Sequence, residues 1–132
     1  MAKSIITVVF LFLLFNSNAA AQQETVKFPA RQLLRIVNKA ETHVMFNIKD
    51  GKLYILDQDR NALYPNHYEA PDDEVYTVYT VDYVVNYINQ AGTKIITFTK
   101  DESGVVSLGS NDVAAANLRE DVRGIACPPF CP

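Results

Sequence analysis

Apolar residues recur along this chain with two periods. Across residues 30–41, Leu33, Ile36, Val37 and Ala40 stand at i, i+3, i+4 and i+7, the spacing of one helix face. The same spacing returns at Val84, Tyr87, Ile88 and Ala91, where Thr80 or Asp82 offers a cap and Gly92 a stop. Elsewhere the period falls to two. Residues 43–49 alternate with Val44, Phe46 and Ile48 on one side, Asp50-Gly51 is a hairpin turn, and residues 52–56 return. A second hairpin is predicted over 94–99 and 105–108, around Asp101-Glu102-Ser103-Gly104. Val26-Lys27-Phe28, stopped by Pro29, predicts a short edge strand, and 74–79 predicts another strand. Residues 57–74 hold two prolines and much of the acid, which predicts a long polar loop. Residues 111–119 predict a short alanine-rich helix.

The two halves carry one pattern. An offset of 51 superposes both helix faces and pairs Asn38 with Asn89, Ala40 with Ala91 and Thr42 with Thr93. Lys49-Asp50 then falls on Lys100-Asp101 at the hairpin tips, whereas the faces Val44/Phe46/Ile48 and Ile96/Phe98 agree at an offset of 50. One residue is therefore gained or lost between helix and strand. Neither half alone buries its apolar face, and together they share one core. The expected fold is a small single α+β domain, two helix-plus-β-hairpin units on a shared, mainly antiparallel sheet.

The N-terminus adds a compartment. Lys3 precedes an apolar run from Ile5 to Phe15 broken only by Thr7, and Asn16-Ser17-Asn18 leads to Ala19-Ala20-Ala21. That is the layout of a cleavable secretion signal, and the run is shorter than the ~20 residues a bilayer span needs. The expected organisation is a signal peptide over 1–21, the α+β domain over 22–119 and a Cys/Pro-rich tail over 120–132. Removing 1–21 from the 132 residues leaves 111, enough for one core and not two. The net charge of −3 becomes −4 once Lys3 is lost, which argues against nucleic acid or an anionic membrane as the main partner. The sequence thus predicts a periplasmic or secreted protein with no stable membrane insertion after cleavage.

The segment VKFPARQLLRIV resembles the opening of the short N-terminal domain of secretins and TonB-dependent receptors, a strand ending before an amphipathic helix. YTVDYVVNYINQAGTKIITF is similar to that family's second helix and following strand. The likeness spans about residues 25–108, with a longer 57–74 loop and no barrel or secretin ring after it. It implies protein–protein contact in the periplasm and no catalysis.

Candidate chemistry is sparse. Cys127 and Cys131, the only cysteines, flank Pro128-Pro129-Phe130. Export favours their oxidation to a disulfide, within or between chains. The alternatives are free thiols, a redox pair or a copper(I) site, since the spacing resembles the Cys-x-x-x-Cys of Sco-type copper-delivery proteins. Asp57, Asp59 and Asn61 open like a calcium loop, but Ala62 and Tyr68 occupy the positions that need Gly and Glu. A weak calcium site with Asp72, Asp73 or Glu74 is what remains of that pattern. His43 and His67 lack a spaced ligand or nucleophile, so no catalytic residue and no cofactor is assigned. Arg31, Arg35 and Lys39 form a basic stripe at i, i+4 and i+8. Tyr64, Tyr68, Tyr76, Tyr79, Tyr83 and Tyr87 gather in the loop and second helix, and tyrosine favours interfaces. The expected function is a non-catalytic module binding another exported or envelope protein through Tyr64, Tyr68, Tyr76, Tyr79 and Tyr83 and the basic stripe. The competing expectation is an accessory factor using the Cys127/Cys131 tail for thiol redox or copper binding.

Overall fold

A computed structural model of the chain describes residues 23–110, 125–128 and 131–132. The signal segment at 1–21 and the alanine-rich helix at 111–119 lie outside the described residues. Among those described, two helices and eight strands follow in order: β1 (Glu24–Pro29), α1 (Ala30–Val37), β2 (His43–Lys49), β3 (Lys52–Asp57), β4 (Ala62–Tyr64), β5 (Tyr76–Thr80), α2 (Val81–Ala91), β6 (Ile95–Lys100), β7 (Val106–Gly109) and β8 (Ile125–Cys127). The α+β class and the antiparallel pairing are as expected.

The caps follow the sequence. Thr80 Oγ1 accepts the Tyr83 N–H at 3.1 Å to open α2, and Gly92 closes it at φ 63°. Asp50 and Gly51 both hold positive φ, the geometry of a two-residue hairpin turn. Asp101 accepts the Ser103 hydroxyl at 2.6 Å and the Ser103 and Val105 N–H groups at 2.9 and 3.0 Å, which shapes the second hairpin loop and lowers the Asp101 pKa. Helix α1 is shorter than expected. After Val37 the Lys39 and Ala40 N–H groups bond three residues back, to Ile36 and Val37. This tight turn still buries Ala40, only 8 % exposed, as the periodicity demands.

The pairing between units departs from a single shared sheet. Strand β1 leaves its own unit and pairs with β6, and β5 pairs with β2, giving a three-stranded sheet β1-β6-β7 and a five-stranded sheet β4-β3-β2-β5-β8. Each unit's leading strand therefore completes the other unit's hairpin. The exchange has matched ends: the Ala30 N–H donates to Lys94 O at 2.8 Å, and the Val81 N–H donates to Thr42 O at 3.0 Å. Phe28 stands opposite Ile96 and Tyr79 opposite Val44. Strands β2 and β6 thus correspond at an offset of 52, where residue pattern alone gives 50, because the second unit takes one residue more from helix start to strand start (81 to 95) than the first (30 to 43).

Both helices, β1 and the two hairpins close on one core that includes Leu33, Val37, Phe46, Val84, Ile96 and Phe98. Phe46 sits between Tyr79 and Phe98, with ring centroids 5.9 and 4.9 Å away. Tyr79 also ties the sheets together, its hydroxyl donating to Val106 O at 2.5 Å.

Strand β2 is buried on both sides. Val44, Phe46 and Ile48 enter the main core, while Met45, on the opposite face, joins Leu56, Tyr76, Val78 and Cys127 in a second cluster. Strict alternation would leave Met45 in water. The residues 58–74 instead cover that face, and three of them form β4 where a loop was expected. We expect Met45→Ala to cost about 2–4 kcal/mol, the range for truncating a buried methionine. Chemical denaturation checks this; a loss under half a kcal/mol would mean that the face is not covered.

Candidate functional site

The tyrosine-rich region turns largely inward. Tyr76 and Tyr79 are buried at 1 % and 4 % exposure, so they offer nothing to an outer surface. Tyr64, Tyr68 and Tyr83 are half-buried. Tyr83 stacks on Tyr79 at 5.6 Å, and Tyr64 meets Phe28 edge-on at 5.1 Å. Two of the five expected surface rings thus pack inside, Tyr79 in the main core and Tyr76 in the second cluster, while Tyr64, Tyr68 and Tyr83 keep part of their surface in solvent. Arg31, Arg35 and Lys39 are all exposed, but α1 ends before Lys39, so the stripe loses its third helical member.

Tyr68 and Tyr76 meet a charge pair over the second face. Lys49, at the end of β2, lies 2.5 Å from Glu74 Oε2, donates to the Tyr68 hydroxyl, and sits 4.7 Å from the ring centres of Tyr54 and Tyr68. Glu74 also accepts from the Tyr76 hydroxyl at 2.5 Å and the Tyr68 hydroxyl at 2.9 Å. Burial works against the Glu74 charge, yet the bonds from Lys49, Tyr76 and Tyr68 and the ammonium's attraction outweigh it. Its pKa therefore falls below the ordinary carboxylate value. The bonds to Glu74 and Tyr68 hold Lys49 above its usual range, and burial beside a carboxylate pushes the Tyr76 phenol up. These directions keep Lys49 and Glu74 charged and Tyr76 neutral near neutral pH, and the cluster fastens the covering segment to β2.

Arg60 extends the fastening to the tail. Its guanidinium donates to Pro71 O at 2.8 Å and Glu74 O at 3.0 Å, lies over the Tyr76 ring at 5.5 Å, and approaches Cys127 Sγ at 3.7 Å. Cys127 is buried in β8 against β5 and is disulfide-bonded to Cys131. In this state neither sulfur is a thiolate, so the pair offers no copper ligand. The calcium-like acids are spoken for in part. Asp57 accepts the Asp59 and Asn61 N–H groups at 2.9 Å each, Glu74 is held by Lys49, and Asp72 and Asp73 are exposed. Among the described residues no group of three or more His, Cys, Asp or Glu is placed to hold a metal ion.

The feature that residue pattern missed is a cleft of about 530 Å³ between β1 and the β2–β3 hairpin. Consecutive residues line it on both sides, 26–29 of β1 and 51–54 of the hairpin, with Gln32, Tyr64 and Pro65 at one end. A cleft over the face of a strand would take alternate residues, so this one runs along strand edges. One end is clasped where Glu24 Oε1 accepts the Gly51 N–H at 3.3 Å, the other where Phe28 meets Tyr64. Its walls are apolar at Val26, Phe28 and Leu53, and Lys27 and Lys52 are exposed at its rim. Among the described residues neither lysine has a carboxylate partner.

No family model matches this chain, and no curated protein or solved structure matches it. No helix among the described residues is long and apolar enough to cross a membrane.

The Glu74 cluster generates a pH prediction. Since Glu74 is more acidic folded than unfolded, its contribution is whole above the unfolded pKa of about 4.3 and is lost as pH falls through the lower folded value. Lys49 is 32 % exposed and Glu74 13 %, so solvent screens part of the attraction. Glu74→Gln should cost about 1–3 kcal/mol at neutral pH and flatten the acid limb of stability against pH. Thermal melts from pH 2 to 7 read both effects, and an unchanged acid limb would refute the assignment.

Proposed function

We propose that this chain is a non-catalytic, exported module that binds another envelope or secreted protein, and that the cleft between β1 and the β2–β3 hairpin is its contact surface. The cleft is the observation that carries this reading: it pairs apolar walls with a cationic rim, and the candidate polar clusters elsewhere are consumed in holding the fold together. The mild negative charge of the chain supports a protein partner over nucleic acid. The signal-like N-terminus supports export, and the resemblance to the short N-terminal domain of secretins supports contact in the periplasm without catalysis. The surface moves from Tyr76 and Tyr79, which are internal, to the opposite flank of the five-stranded sheet, with Tyr64 retained at its edge.

Site-specific photo-crosslinking in intact cells tests the reading. Benzoylphenylalanine replaces Gln32 or Lys52 at the cleft, or Lys39 or Asp82 as exposed controls. The expected outcome is one discrete adduct with another exported protein from both cleft positions and none from the controls. Equal adducts from all four positions, or adducts from the controls alone, would contradict it.

A further inference from the structure

The pairing pattern defines what the cleft can hold. In an antiparallel ladder the N–H and C=O groups of alternate residues face the partner strand, and those between face away. The Ala30 N–H bonds to Lys94 O, which continues the β1–β6 register. Phe28, Val26 and Glu24 share that phase and turn their backbone groups toward β6. Thr25, Lys27 and Pro29 therefore turn theirs away, and among the described residues β1 has no second neighbouring strand. Pro29 fits this phase, since its missing N–H costs the ladder nothing.

The hairpin wall is open in the same way. The Asp50-Gly51 turn closes on the Lys49–Lys52 pair, so Lys52 and Tyr54 turn their backbone groups toward β2. Leu53 faces the other way, beyond the end of β4, whose pairing stops with Ile55 opposite Tyr64. Two open strand edges thus border one apolar slot whose rim carries Lys27 and Lys52.

Resting on the interaction reading above, we propose that the cleft takes an extended segment of the partner protein, which adds as a strand to the free edge of β1. The segment alternates apolar side chains with carboxylates. Its backbone meets the open N–H groups of Thr25 and Lys27 and the open carbonyls of Thr25, Lys27 and Pro29. Its apolar side chains rest on Val26, Phe28 and Leu53, while its acids meet Lys27 and Lys52. Backbone pairing gives such additions affinity, and the pockets for alternate side chains give them selectivity.

The probes are the capped heptapeptide Val-Glu-Val-Glu-Val-Glu-Val, its Lys-for-Glu counterpart, a version of the acidic peptide N-methylated at alternate residues, and dodecanoate. Binding to the full mature chain is followed by amide chemical shifts and hydrogen exchange. The acidic peptide should bind and slow exchange at the Thr25 and Lys27 amides. The basic and N-methylated peptides should bind at least about tenfold more weakly. A Lys27→Glu/Lys52→Glu double variant should reverse the charge preference, and both positions are exposed, so its melting temperature should stay near the parent's. Protection elsewhere, indifference to N-methylation, or no binding of any peptide up to about 1 mM would overturn strand addition. Dodecanoate shifting the cleft residues while the peptides do not would overturn it in favour of a small amphiphile. If crosslinking finds a cleft partner and these peptides fail, only strand addition falls; if crosslinking fails as well, the interaction reading falls with it.

Discussion

The reciprocal exchange of leading strands is the constraint on which the rest of the structure depends. Strand β1 completes the β6–β7 hairpin and β5 completes the β2–β3 hairpin. Neither unit's hairpin has a leading strand beside it until the other unit arrives, so the two halves fold as one cooperative body. The bonds that set this up are main-chain ones at the helix starts, Ala30 to Lys94 and Val81 to Thr42. Each helix thus begins where its leading strand has just crossed to the other unit, and each turns its apolar stripe into the common core. Partners such as Val26 and Phe98 lie far apart in sequence, which makes this a topology of non-local contacts and slows folding relative to a helical domain.

The exchange also creates the two unusual surfaces. Because β5 joins β2 from outside its unit, β2 becomes an interior strand with apolar residues on both faces, and Met45, Leu56, Tyr76 and Val78 need a second cover. The residues 58–74 and β8 supply it, fastened by Glu74, Lys49 and Arg60. These polar bonds are individually modest, and their value lies in leaving few buried groups without partners while the cover closes. Because β1 joins β6, it stands at the edge of the smaller sheet with its outer side facing the β2–β3 hairpin. The cleft is the gap left by that crossing.

Much of the fold was legible in the residues. Helix faces, the Thr80 and Gly92 caps, both hairpin turns and the edge position of β1 follow from spacing and from Gly, Pro and Asp placement. The crossing was not, because alternation marks which face of a strand is apolar and is silent about which strand lies beside it. The second face escaped for a related reason: Met45 breaks the period-two reading of β2, and only the covering segment explains it. The tyrosines mislead because the same ring suits an interface and a core edge; burial decides between them, and it puts Tyr76 and Tyr79 inside. Lys49 and Glu74 lie in separate predicted elements, and nothing in their spacing announces a pair. The cleft needs two strand edges from different sheets, so no local motif encodes it.

Cross-strand Hα–Hα Overhauser contacts in the folded chain test the exchange most directly. In antiparallel pairs these contacts appear strongly between residues whose backbone groups face away from each other's strand, where the Cα atoms approach to about 4.5 Å. The account predicts them for Lys27 with Thr97 and for Met45 with Val78. Contacts that instead join β1 to β2 and β5 to β6, each leading strand lying on its own hairpin, would contradict it.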